Sequence, residues 1–181
     1  NDGKTTQIDT GAVTCILSVG GQNLIDSLRI GNKEVARNGQ LVCILQDGPE
    51  TNHLDAPRRE QFLSLVKKVT VEQTGPVRAV VKIEGVHRAT DSSEREWLPF
   101  TVRLYFYSGQ SAVRMVHTIV FDGDQEKDFV RGLGVPFEVP MREQVQNRTV
   151  RFSGKDDGVW SEPLQPGGGN VAQETGQPFY G

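Results

Sequence analysis

The strongest constraint in this sequence is a period of two. In "PVRAVVKIEG", Val77, Ala79, Val81 and Ile83 fall on one side. Arg78, Lys82 and Glu84 fall on the other, which Val80 interrupts. "FTVRLYFY" sets Phe100, Val102, Leu104 and Phe106 against Thr101, Arg103, Tyr105 and Tyr107. Successive side chains of a strand point to opposite faces, so such alternation buries one face only when the chain is extended. In "DFVRGLGVPFEVP" the same period places Phe129, Leu133, Val135, Phe137 and Val139 inward, with Arg131 breaking the row. Residues 111–121, "SAVRMVHTIVF", are apolar at both parities, which predicts a central strand covered on both sides.

Turn signals punctuate these runs at Gly20-Gly21, Gly31-Asn32, Asn38-Gly39, Thr74-Gly75-Pro76, Ser108-Gly109 and Asp122-Gly123. The last two read as hairpin tips. "DAPRREQFLSLVKKV" is the exception. Asp55 could cap a helix with Pro57 in its first turn, and Phe62, Leu65, Val66 and Val69 then match helical spacing. The β-rich run that follows competes with that reading. Half-buried strands need a second sheet to cover them, so the expected fold is all-β: an antiparallel β-sandwich of about ten strands with at most one short helix.

From Gly154 onward the period is lost, and "GKDDGVWSEPLQPGGGNVAQETGQPFYG" is rich in Gly and Pro. The expected organisation is a sandwich over residues 1–160 and an extended tail or linker over 161–181, leading toward a following domain. Trp160, Leu164 and Phe179 would anchor such a strap. The start at Asn1 rather than Met fits a mature product or an excised piece.

The 181 residues suffice for one domain with a real core. A net charge of −3, with Lys and Arg scattered, argues against nucleic acid as a partner. No apolar run approaches the ~18 residues of a membrane span, so no membrane partner is expected. Cys15 and Cys43 share parity with apolar neighbours and read as buried thiols, although a disulfide would form if their strands lay side by side. With no CxxC and only three scattered histidines, the pattern argues against a structural zinc site.

"FDGDQEKD" offers Asp122, Asp124 and Asp128. An EF-hand starting at Asp122 would need Gly at its sixth position and Glu at its twelfth, where Lys127 and Leu133 stand. No cofactor is therefore expected; calcium in a looser loop is the alternative to a solvated turn. Glu84 and Glu138 are the other carboxylates weighed for acid chemistry, and both read as surface residues. His117 shares the parity of Val113, Met115 and Ile119, which suggests a buried structural residue, whereas His53 lies in loop-like "ETNHLDAPRRE" beside Arg58 and Arg59. GxSxG, P-loop and HExxH patterns do not occur. Trp97, Trp160, Tyr105 and Tyr107 are the aromatic stock for stacking on sugars, and Asn147-Arg148-Thr149 fits a glycosylation sequon.

An ordered series of blocks carries a resemblance. "TGAVTCILSVGGQNLIDSLRIGNKEV", "TGPVRAVVKIEGVHR", "LPFTVRLYFYSGQSAVRMVHTIVFDGDQEKDFVRGLGVPF" and "VWSEPLQP" together resemble the central β-sandwich of the exo-acting rhamnogalacturonan lyase and YetA-like family, across most of residues 8–166. The resemblance implies a parent with a small barrel-like domain before the sandwich and an α/α toroid after it. It implies β-elimination at a uronate of pectin, in an extracellular or periplasmic setting. The partners would be a polysaccharide or oligosaccharide and the neighbouring domains, and an isolated sandwich would be incomplete for catalysis. No catalytic residue of the family maps onto a position here. Substrate-binding candidates are the loop-borne His53, Arg58, Arg59 and Trp97, with the off-pattern Arg131. The alternative is a sandwich that only binds carbohydrate or positions its neighbours.

Overall fold

A computed structural model describes residues 5–48, 57–91, 93–144, 147–153 and 159–163, the side chains at 152, 153, 160 and 162 excepted. The chain divides into two compact units, Asn1–Pro140 and Met141–Gly181. In the first, β1 (Thr5–Asp9), β2 (Thr14–Ser18), β3 (Ile25–Ile30) and β4 (Lys33–Gly39) form an antiparallel sheet in chain order. Then come β5 (Val42–Gln46), β6 (Arg59–Gln73), β7 (Arg78–Ala89), β8 (Glu96–Tyr107), β9 (Val113–Ile119) and β10 (Phe129–Gly134). They make a second antiparallel sheet in the order β10-β5-β6-β7-β8-β9. In the second unit, β11 (Thr149–Ser153) pairs with β12 (Val159–Pro163), the strand in which residue 160 falls. No α-helix occurs among the described residues, and the all-β sandwich is what the alternation called for.

The two larger sheets share a core. Cys15, Leu17, Leu24 and Ile25 pack against Val66, Val81, Ile83, Phe100, Val102, Leu104 and Phe106, with Leu41 beside them. Each large apolar side chain so enclosed contributes roughly 1.5–3 kcal/mol. Gly85 lets the aromatic layer in: a Cβ there would sit 2.3 Å from the Leu65 carbonyl oxygen and 2.7 Å from the Phe100 ring. The loop before β3 is stitched to β6, with Val66 N–H donating to Gly21 O (2.7 Å) and Ser64 Oγ–H to Gln22 O (2.6 Å). A second cluster, Cys43, Leu45, Phe62, Ala89, Trp97 and Leu98, comes entirely from the six-stranded sheet.

Several expectations need correction. The helical spacing of Phe62, Val66 and Val69 belongs to strand β6, while Asp55 lies outside the described residues. Phe62, Ser64 and Val66 alternate inward, and Lys67 is then an extra residue between paired Val66 and Lys68. That bulge resets the parity, so Val69 faces the core again. The run 111–121 forms no central strand: β9 is a sheet edge, and Val116 is only half-buried. Asp122-Gly123 is no hairpin tip, because β9 and β10 lie at opposite edges of one sheet. Ser108-Gly109 does turn β8 into β9, with Gly109 at φ 75°. The inward row expected after Phe129 is also wrong in part. On edge strand β10 and beyond it, Leu133, Phe137 and Val139 are 43%, 37% and 57% exposed. Arg131 breaks the row because it is the bulge between Val130 and Gly132.

Candidate functional site

The six-stranded sheet has two unlike ends. At one, the β6–β7 and β8–β9 turns frame an open groove of about 510 Å³, lined by Val77, Tyr107, Ser108, Gln110, Ala112, Val113 and Arg114. Its rim is tied down. Ser108 N–H donates to Val77 O (2.9 Å), Gln110 N–H to Tyr107 O (3.1 Å) and Gly109 N–H to Thr10 O (2.7 Å). Thr10 Oγ1–H donates to Gln110 O (2.8 Å), so the opposite sheet braces the hairpin tip.

Tyr105 and Tyr107 point outward from β8 by the same alternation that buries Phe106. Arg114 on β9 lies opposite Tyr105, its guanidinium carbon 5.6 Å from the ring centroid; Arg78 on β7 approaches the same ring at 6.0 Å. Several other cations on this outer face meet carboxylates. Arg103 grips both oxygens of Glu72 (2.9 and 3.2 Å), Lys82 reaches Glu84 (3.1 Å), and Arg88 and Lys67 converge on Glu96 (2.6 and 3.0 Å). Hydrogen bonds from Arg103 hold the Glu72 carboxyl below its usual range. Among the described residues Arg78 and Arg114 meet no carboxylate; Arg78 donates to the neutral Gln73 Oε1 instead (2.6 Å). A guanidinium stacked on a ring keeps its edge donors available for a planar anion.

The other end is closed. His87 on β7 is fully buried, and its Nδ1 lies 2.8 Å from the Leu98 carbonyl oxygen. A carbonyl only accepts, so Nδ1 carries the proton and Nε2 is bare. The His117 ring lies 6.2 Å away, with Phe100 edge-on to both. The Nε2 atoms of both histidines and Trp97 Nε1 are buried without a hydrogen-bond partner. Burial lowers both histidine pKa values, and His117 is lowered further by His87. Leu98 adopts a left-handed φ of 51°, and its N–H donates to Asp122 Oδ1 (2.7 Å). Asp128, 9% exposed, takes both Nη atoms of Arg95 (3.0 and 2.7 Å) and caps Asp124 N–H (2.8 Å). Arg95 in turn lies over Trp97. Asp122 and Asp128 thus act as structural acceptors, and no group of three His, Cys, Asp or Glu suited to a metal gathers among the described residues.

The residues singled out in the sequence meet mainly at this closed end. Trp97 is 2% exposed, packed on Phe62 and Phe121, so neither face is open to a sugar. Arg59 donates to Gln46 (3.2 Å), Arg58 N–H to Asp47 (2.8 Å), and Arg131 sits exposed on the adjoining β10. Strand pairing brings these cations to one end, since Gln46 lies opposite Arg59 on one side and Phe129 on the other. His53 lies outside the described residues. Glu138 pairs with Arg37 (2.9 Å) at an isolated bridge. Cys15 and Cys43 are free thiols, pushed up by burial to about 12 and about 11, with Asp26 adding to the first. Sequence reading passed over Arg78 and Arg114. Their outward parity was visible, but their meeting at Tyr105 depends on strand register.

Two antiparallel sheets packed on a shared core define the class, an all-β sandwich module. More narrowly, the chain matches the family of the PcRGLX-like protein central beta sandwich domain over residues 1–176, and it belongs to that family. This domain is the central sandwich of rhamnogalacturonan lyase-like proteins. It is similar to the uncharacterized protein YetA of Bacillus subtilis (strain 168), at 42% identity over 159 residues. That alignment takes in 88% of this chain and 18% of YetA, so the chain spans under a fifth of its relative's length.

Proposed function

We propose that the chain is the sandwich module of a secreted, pectin-degrading protein that cleaves rhamnogalacturonan by β-elimination at a uronate. The family match over residues 1–176 is the observation that carries this reading. The reaction removes the proton α to the uronate carboxylate. It needs a base near that carbon and a cation to neutralise the carboxylate as charge builds up. Among the described residues the histidines His87 and His117 have their Nε2 atoms enclosed. Neither of these two is placed to reach a polymer; in this reading the neighbouring domains of the parent complete the site, and the module alone is inactive. The test is absorbance of the unsaturated uronate product. Full-length parent incubated with rhamnogalacturonan should generate it, and this chain should not. A parent that leaves the polymer intact overturns the reading.

A second role is favoured by one feature. Arg78 and Arg114 flank Tyr105 without a carboxylate, an arrangement suited to holding acidic sugar. In this reading the module binds carbohydrate as well as positioning its neighbours.

A further inference from the structure

We propose that the groove at the β8–β9 turn is a binding site for one carboxylate-bearing sugar ring of an acidic saccharide, with Arg114 taking the carboxylate and Tyr107 the ring. That the ligand is a saccharide rests on the polysaccharide reading above; that it is acidic rests on the structure.

The argument begins with charge. The chain carries a net −3, so carboxylates are not scarce. On the outer face of β6–β8, Glu72, Glu84 and Glu96 are engaged by Arg103, Lys82, Arg88 and Lys67. Arg114 and Arg78 are spared these contacts and stack on one tyrosine. The argument continues with shape. Arg114 and Tyr107 line the same groove, with Gln110 and Ser108 as polar groups on its rim. Val77 beside them is 71% exposed, the most exposed large apolar residue among the described residues of the first unit, and offers a wall for the apolar face of a sugar. The volume of about 510 Å³ falls within the range of about 300–1,000 Å³ usual for small-ligand sites. Finally, the rim is already ordered by its bonds to Val77 and Thr10, so little freedom is lost on binding. Nucleic acid fits poorly, because two cations cannot track a phosphate backbone.

The experiment titrates this chain with three probes at low salt, read by NMR shifts: a galacturonate oligosaccharide, a neutral galactose oligosaccharide of the same length, and a short Glu peptide. The galacturonate oligomer should bind best. Its affinity should fall about tenfold in Arg114→Gln and comparably in Tyr107→Ala, with far- and near-ultraviolet dichroism unchanged. Added salt should weaken it further. Equal binding of the neutral oligomer overturns charge recognition, and equal binding of the peptide overturns the sugar. Binding of none of the three, or binding that Arg114→Gln leaves intact, overturns the site. The lyase assay separates this outcome from the reading above. A parent that makes unsaturated product with unchanged KM in Arg114→Gln keeps its function and loses this groove. A parent that makes none, with oligouronide binding intact, loses the function and keeps the groove.

Discussion

The two ends of the six-stranded sheet are built from the same strands and use their polar residues in opposite ways. At the Trp97 end the polar groups are enclosed. Both backbone groups of Leu98 are taken by side chains, N–H by Asp122 and C=O by His87, and Asp128 is locked to Arg95. Three ring nitrogens are left without partners there. At the groove end the polar groups lie outside, and among the described residues two guanidiniums find a tyrosine and a glutamine but no carboxylate. The difference follows from what covers each end. The four-stranded sheet lies over the groove-side core, which leaves Tyr105 and Tyr107 facing out. No residue of that sheet enters the Trp97 cluster, and the acidic segment 121–128 closes against it instead. Gly123 fits there because a Cβ would stand 3.0 Å from the Trp97 ring and 2.8 Å from Asp128 Oδ2.

The largest expected effect tests whether the acidic segment is truly a lid on a core. Trp97→Ala removes a side chain 2% exposed and packed on Phe62 and Phe121, and should cost about 3–5 kcal/mol in urea unfolding. A loss under 1 kcal/mol would mean the segment is a loose covering, and the contrast between the ends would vanish. Asp128→Asn comes next. It breaks the paired bonds from Arg95 and weakens the cap on Asp124, so a loss of about 2 kcal/mol is expected. Arg95→Gln should lose less, since its side chain is 40% exposed against 9% for Asp128.

Acid should find the closed end first. The folded pKa values of His87 and His117 both lie below the ordinary 6.5, so the unfolded chain binds protons that the folded chain refuses. Stability is then complete above about pH 6.5 and falls as the pH drops below it, by at most about 1.4 kcal/mol per pH unit for each histidine. Asp128 acts in a lower window. Its pKa is lowered chiefly by the bond from Arg95, so its contribution is present above 3.8 and is lost as the pH falls through the folded value. Urea midpoints between pH 7.5 and 5 should therefore slope in the native chain and flatten in His87→Phe combined with His117→Phe. An equal slope in that double variant would show that the histidines do not set the acid response.

How much of this was legible in the sequence depends on range. The period of two gave residues 78–85 of β7 and 100–107 of β8, because alternation is a local property, but Val77, which it set on the inward face, is 71% exposed. The same period misled wherever one residue was added. Lys67 made strand β6 resemble a helix, and Arg131 turned the row after Phe129 partly outward. A bulge leaves no mark distinguishable from a change of period. Sheet order was invisible for a different reason: nothing within "FDGDQEKDF" shows that its flanking strands lie at opposite edges of a six-stranded sheet. Of the candidate groove, the parity of Tyr105, Tyr107, Arg78 and Arg114 was readable and their convergence was not. The Trp97 candidate failed to look outward because the bulge between Gly85 and His87, with Leu98 left-handed, turns it into the core.

The smallest expected effect is the one that makes the comparison quantitative. Val77→Ser removes a large apolar side chain, as Trp97→Ala does, but at the open end where Val77 is 71% exposed. It should shift stability by less than about 0.5 kcal/mol in urea unfolding. Its β6–β7 turn is held through backbone atoms, Ser108 N–H to Val77 O, which the substitution keeps. If Val77→Ser instead costs 1 kcal/mol or more, the groove wall is part of the folding core and its exposed apolar surface is filled in solution. If the shift is small, Val77 adds nothing to the fold that a polar residue would not, and its surface is free to serve a ligand.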